Sequence, residues 1–254
     1  MFNHARFALL LAAILQFVVP ALPSLGIGET NAVRALSEGV PPELPFGVFF
    51  SIWGPIFLGF LALGVLAVFA PHSVDDDLIA PLALAGFGNV IWMLSAQGLG
   101  IVWLDFLLLL PILFFAWEAA YRLDRLGGFD GTWQRLLSCF TAGLLAGWIS
   151  VAVSISVPDT VRGIIGTGVS DHVWVSLWLA LIPASLLAFM FATRVSRSLW
   201  YFVALAWGLT GVGLNNWMRT ELHALAIATA AIGAIVLLYR LKRGASGSAV
   251  FKTP

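Results

Sequence analysis

Trp53, Trp92 and Trp148 each stand several residues inside a long apolar stretch, away from the ends where membrane indoles gather at headgroup level. Flat, rigid rings stack on flat apolar molecules, so three of them at one depth can wall an aromatic chamber. Packing of the stretches against one another accounts for the same three indoles without any ligand. Asn89 precedes Trp92 by one helical turn, which puts both side chains on nearly the same face. An amide buried in hydrocarbon must find a partner, and it either joins helices or contacts a ligand. Asp105 is costlier still to bury. It offers a ligand charge or hydrogen-bond complementarity, or else it only favours the positive end of a helix dipole.

Other chemistries find no residues. Neither lysine stands inside an apolar stretch, so a retinal Schiff base has no candidate. His4, His72, His172 and His223 fall at or beyond the stretch ends, which removes an intramembrane bis-histidine haem site. There is no P-loop, no HExxH and no nucleophile-base-acid set. Cys139 is the single cysteine and excludes both an intrachain disulfide and a cysteine metal site. Asp75, Asp76 and Asp77 read as a solvated turn, and Glu118 with Arg122 as a snorkelling i,i+4 ion pair. The expectation is no enzyme, no metal site and no covalent cofactor.

The elements that must position these residues are membrane helices. Of 254 residues, 60% are hydrophobic and 10% charged, and the mean hydropathy is +0.97; soluble domains are roughly 25% charged. With about 20 residues per span, the apolar blocks predict about eight transmembrane helices near 7–26, 46–70, 78–97, 100–123, 133–157, 173–193, 198–218 and 222–241. No alternating barrel pattern runs through them, so the fold class is an all-α polytopic membrane bundle. The start, Met1 to Arg6 before an apolar run, also has the outline of a signal peptide, without a small-x-small cleavage site.

Arg6, Arg122, Arg125, Arg135, Arg194 and Arg197 fall on one side of such a bundle, together with Arg240, Lys242, Arg243 and Lys252. Only Arg34, Arg162 and Arg219 fall on the other, so the positive-inside rule places both termini in the cytoplasm. In that orientation the three interior tryptophans share a depth in the outer half of the bilayer. Trp103, Trp133, Trp174, Trp200 and Trp217 lie near span ends and read as an interfacial belt. Asn215 and Asn216 come at the outer end of the seventh span, where water can satisfy them. Gly143 and Gly147, with Gly208, Gly211 and Gly213, mark close helix approach. Equal numbers of basic and acidic residues, 13 each, give no bias toward nucleic acid.

Four short motifs in order resemble the tryptophan-rich sensory protein family, also called TspO/MBR or translocator protein. Pro41 and Pro42 precede FGVFFSIWGPIFLGFLALG, similar to the family's W-G-x-x-[YF] helix, here Trp53, Gly54 and Phe57. GFGNVIWMLSAQ carries Asn89 and Trp92, GIVWLDFLLLL places Asp105 at the family's helix-four acid, and LLAGWISVA holds Trp148. The loop PPELPFG lacks the family's tryptophan and SISVPD lacks its fifth-helix asparagine. The resemblance covers residues 7 to about 160. It implies a five-helix core at 1–160 and a three-helix C-terminal extension at 161–243; the Gly/Ser-containing tail at 244–254 is expected to be disordered from its composition.

The resemblance further implies a multi-pass inner-membrane protein that binds porphyrin or haem, or a sterol-like apolar molecule, in sensing or regulation. The chamber is then walled by Trp53, Phe57, Asn89, Trp92, Asp105 and Trp148. Two other readings stay open: a transporter using the same cavity as a path, with Pro111 and Pro183 as kinks, and a structural partner that forms a homodimer through its glycine faces without a small ligand.

Overall fold

Prolines decide where the first helix changes pitch. In the computed structural model, which describes residues 4–28, 39–126 and 132–242, α1 (His4–Val18) tightens into a 3₁₀ turn, Val19–Leu25, at Pro20 and Pro23. A second 3₁₀ turn, Gly47–Ile52, leads into α2 (Trp53–Phe69), where Pro55 sits in the first turn and lacks only an N–H that has no helical partner there. α3 (Asp76–Gly98) opens on Asp75, whose carboxylate accepts the Asp77 N–H at 2.9 Å, so the aspartate triplet is a helix cap. α4 (Val102–Arg125) follows after a short break.

α5 (Thr132–Ile165) is the longest helix and corrects the expected end at 157. It runs through Pro158, which removes the N–H that would meet the Ser154 carbonyl, and Pro158 and Arg162 on this stretch are buried while Ile164 and Ile165 are exposed. α6 (Val173–Met190) ends in a π turn at Phe191–Val195. α7 (Leu199–Met218) and α8 (His223–Lys242) complete eight helices among the described residues. The tail at 244–254, expected to be disordered, lies outside the described residues, as do Arg34, Arg243 and Lys252.

Seven of these helices are long and apolar enough to cross a membrane; α7 is the exception to the eight expected. It is as long as α8 and carries the strongly polar Asn215 and Asn216 near its end. α5 is the hub: 83% of its apolar window is buried, against 22 to 61% elsewhere. It separates a group in which α1 packs on α2 and α3, and α3 on α4, from a group in which α7 packs on α8 and α8 on α6. It touches α2, α4, α6 and α7 itself.

The glycine motif brings α5 and α7 into close contact. A Cβ on Gly143 would stand 2.7 Å from Trp200 Cβ, and one on Gly147 2.8 Å from Ala204 Cβ, so both glycines face α7. Gly208 meets Val151, and Gly211 meets Phe49 and Pro45. Gly143, Gly147, Gly208 and Gly211 thus mark close approach within one chain, as expected, whereas a Cβ on Gly213 would meet nothing nearer than 4.0 Å; the face of Gly143 and Gly147 that the alternative reading gave to a dimer is covered by α7. Trp103, Trp133, Trp174 and Trp217 are exposed as a belt requires, while Trp200 packs edge-on against Phe140.

Basic side chains fasten one end of the bundle. Arg6 donates to the carbonyls of Ala67 and Pro71 and pairs with Asp76 at 2.6 Å. Arg122 donates to the Asp77 carbonyl and pairs with Glu118 at 2.7 Å, and Arg240 donates to the Arg197 carbonyl.

Candidate functional site

The three interior tryptophans meet. Trp53 opens α2, and its ring centroid lies 6.1 Å from Trp92 of α3 in a tilted contact. Trp148 of α5 stands 6.2 Å from Trp53 at 89°, an edge-to-face arrangement that suits the ring quadrupoles. Phe57, one turn beyond Trp53, stacks on it at 5.3 Å. Phe50 meets Trp148 and Phe17 of α1 meets Phe57, both edge-on, at 5.6 and 5.8 Å. One connected set of rings thus joins α1, α2, α3 and α5. Trp148 and Phe57 are buried, whereas Trp53 and Trp92 keep part of their surface open. At these separations the rings fill the space among themselves, so a stacked molecule would lie on the open parts of Trp53 and Trp92 or displace a ring.

The two polar members of the expected chamber make helix contacts. Asn89 is fully buried and donates to Gln16 Oε1 at 3.0 Å, joining α3 to α1. Gln16, also fully buried, was legible by the rule that singles out Asn89, an amide inside an apolar run. Asp105, in the first turn of α4, accepts the Ser95 hydroxyl at 2.7 Å and closes the α3–α4 corner beside Trp92.

A buried charged network stands at the end of the bundle opposite Arg6. Arg162, in the last turns of α5, approaches Glu43 at 2.6 Å and Asp159 at 3.1 Å. It also donates to Ser176 of α6, which donates to Glu43. The segment 39–50 is held to α7 as well. Asn215 donates to the Pro41 carbonyl at 3.2 Å and Asn216 to that of Pro42 at 2.6 Å. The Phe46 N–H reaches the Gly211 carbonyl at 2.9 Å, and the Trp207 indole reaches that of Phe49 at 2.7 Å.

The asparagines are therefore not satisfied by water as expected: both are fully buried, because this segment folds over the end of α7. No pattern in the sequence marked Glu43 as a partner of Arg162. Beneath Glu43, between α5, α6 and α7, lies a cavity of about 20 Å³ bordered by Val151, Ser154, Leu177 and Gly208. That is room for one water-sized probe, far below the roughly 300 Å³ that a drug-sized ligand needs. No cluster of three metal-ligating side chains occurs among the described residues.

A family model described as TSPO-like protein matches residues 6–241. No curated protein and no solved structure matches the chain.

Proposed function

The chain belongs to the TSPO-like protein family, and from that premise we propose that it binds a flat apolar molecule, a tetrapyrrole or a sterol-like compound, and acts in sensing or regulation rather than catalysis. The observation that carries this reading is the contact of Trp53 with both Trp92 and Trp148, which brings indoles from three helices into one cluster. Two of those rings keep open surface, and a conjugated or fused-ring ligand stacks there by dispersion and quadrupole contacts. Trp53 and Trp92 touch the ligand, and Trp148 and Phe57 pack against Trp53 from behind. Asn89 and Asp105 hold the helices that carry them, through Gln16 and Ser95.

The chain resides in the cell inner membrane with both termini cytoplasmic, and α7 crosses as an eighth span. Support for that crossing comes from its two ends. One lies by the Arg197 carbonyl that Arg240 engages, and the other carries Asn216 bound to Pro42. The five-helix core at 1–160 carries the ligand, and the extension at 161–243 holds the segment before α2 in place.

Tryptophan-fluorescence quenching of the purified protein against haem, porphyrins and sterols tests the binding reading. Saturable quenching by a flat ligand, weakened in Trp92→Ala, is expected. A linear, non-saturating response to every compound would remove it.

A further inference from the structure

Trp53 touches both other indoles of the cluster, yet its own helix holds it least. Trp92 and Trp148 stand inside α3 and α5, with helical turns on either side. Trp53 is the first residue of α2, where an N–H has no partner within the helix. It donates instead to the Phe50 carbonyl of the 3₁₀ turn Gly47–Ile52. The position of Trp53 is therefore set by whatever holds that turn.

α7 holds it. Trp207 and Gly211 lie one helical turn apart on the same face of α7, and both meet Phe49. The Trp207 indole donates to the Phe49 carbonyl at 2.7 Å, and the two rings lie 4.7 Å apart. Gly211 leaves room for the Phe49 ring, since a Cβ there would stand 2.8 Å from Phe49 Cγ. Its carbonyl accepts the Phe46 N–H, and the Phe46 carbonyl accepts the Phe49 N–H. We propose that Trp207 is a positioning residue for the ligand surface: acting from α7 through Phe49, it fixes the Trp53 ring on which a flat ligand stacks. This rests on the binding reading above and adds to it a residue outside the five-helix core.

The link is short. From Phe49 to Trp53 the chain rises about 8 Å as 3₁₀ helix, so a shift of the Phe49 carbonyl passes to Trp53 instead of being absorbed by a loop. Phe50, between them, packs edge-on against Trp148, and the same shift disturbs the cluster from that side too. Trp207 is itself 40% exposed, and its contribution lies in the N–H. In hydrocarbon that donor needs an acceptor, and the i→i−4 ladder of α7 already engages the carbonyls of its own turns. A ring that must be ordered at the moment of binding weakens the complex, whereas one already in place does not.

Trp207→Phe keeps an aromatic ring against Phe49 and removes the donor. Full-length protein labelled with fluorotryptophan is placed in mild detergent and followed by fluorine NMR, the Trp53 resonance being assigned by its loss in Trp53→Phe. In Trp207→Phe the Trp53 resonance should move and broaden, while that of Trp133, exposed at the far end of α5, should stay. Affinity is measured with whichever of protoporphyrin and cholesterol quenches the wild type saturably, and it should fall about tenfold. Gly211→Ala, which pushes on Phe49 and keeps every indole, should move the same resonance and weaken the same probe. Trp217→Phe, the same change on an exposed indole at the end of α7, should do neither. An unmoved Trp53 resonance in Trp207→Phe overturns the proposal, as does a moved resonance with wild-type affinity. A moved resonance in a protein that neither probe binds would remove the ligand role as well, and would locate the failure in the binding reading instead of in the hold on Trp53.

Discussion

The guanidinium of Arg162 lies 2.6 Å from the carboxylate of Glu43, and their side chains are only 8% and 2% exposed. A segment between the first two helices is thereby fixed to the end of the central helix by a buried ion pair. Removing one partner from such a pair leaves a charge without its counter-ion, which is costlier than exchanging the whole pair.

Glu43→Gln is expected to lower stability by about 3 kcal/mol. Asp159, half exposed at 3.1 Å, compensates only in part. Exchanging the two charges, Glu43→Arg with Arg162→Glu, should recover some of the loss. Thermal unfolding in detergent measures both, and a single variant as stable as the wild type would show that the pair contributes nothing.

Trp92→Ala and Trp148→Ala should separate binding from packing. Trp92 has open surface, and its loss should weaken a flat ligand by roughly 1–3 kcal/mol, by analogy with base stacking on aromatic side chains. Trp148 is 1% exposed, and its truncation should cost about 3–5 kcal/mol of stability through the cavity left behind. Quenching titrations and melting curves on both variants check this; an unchanged affinity in Trp92→Ala would remove it from the ligand surface.

Gly147→Leu should destabilise the folded chain by about 1–3 kcal/mol or more, since even a Cβ there would stand 2.8 Å from Ala204 Cβ of α7. Self-association should stay as it is, because this face lies inside the chain. Sedimentation in detergent alongside a melting curve distinguishes the two effects, and loss of a dimer without loss of stability would return the glycines to an intermolecular role.

Reporter fusions at both ends test the crossing number. With α7 as an eighth span, fusions after Met1 and after Pro254 should both report the cytoplasm, as the distribution of basic residues requires. A C-terminal reporter active only outside the membrane would leave seven spans.

The helices were legible in the sequence because hydrocarbon offers the backbone no other hydrogen-bond partner. A run of about 20 apolar residues therefore becomes a helix whatever surrounds it, and the eight blocks read from composition reappear with their ends shifted by a few residues, except that α5 runs eight residues further and that 3₁₀ turns take up the end of the first block and the start of the second. The contact of Trp53 with Trp92 and Trp148 was legible from counting along those helices together with the motif order. The Glu118–Arg122 pair depends on neighbours in the chain and was accessible from spacing alone, whereas Asp75, read as part of a solvated turn, caps α3.

Contacts between distant segments were decided only by tertiary structure. Glu43 meets Arg162, Asn216 meets the Pro42 carbonyl, and Asn89 meets Gln16 because particular helices lie side by side. Hydropathy records how apolar a segment is, but in lipid every outward and inward face is nearly as apolar as the next, so it does not say which face finds which neighbour. That is why GxxxG could be read as a dimer surface until α7 was placed on it, and why α5 could be ended at Pro158 until its last turns were found tied to Glu43 and Ser176.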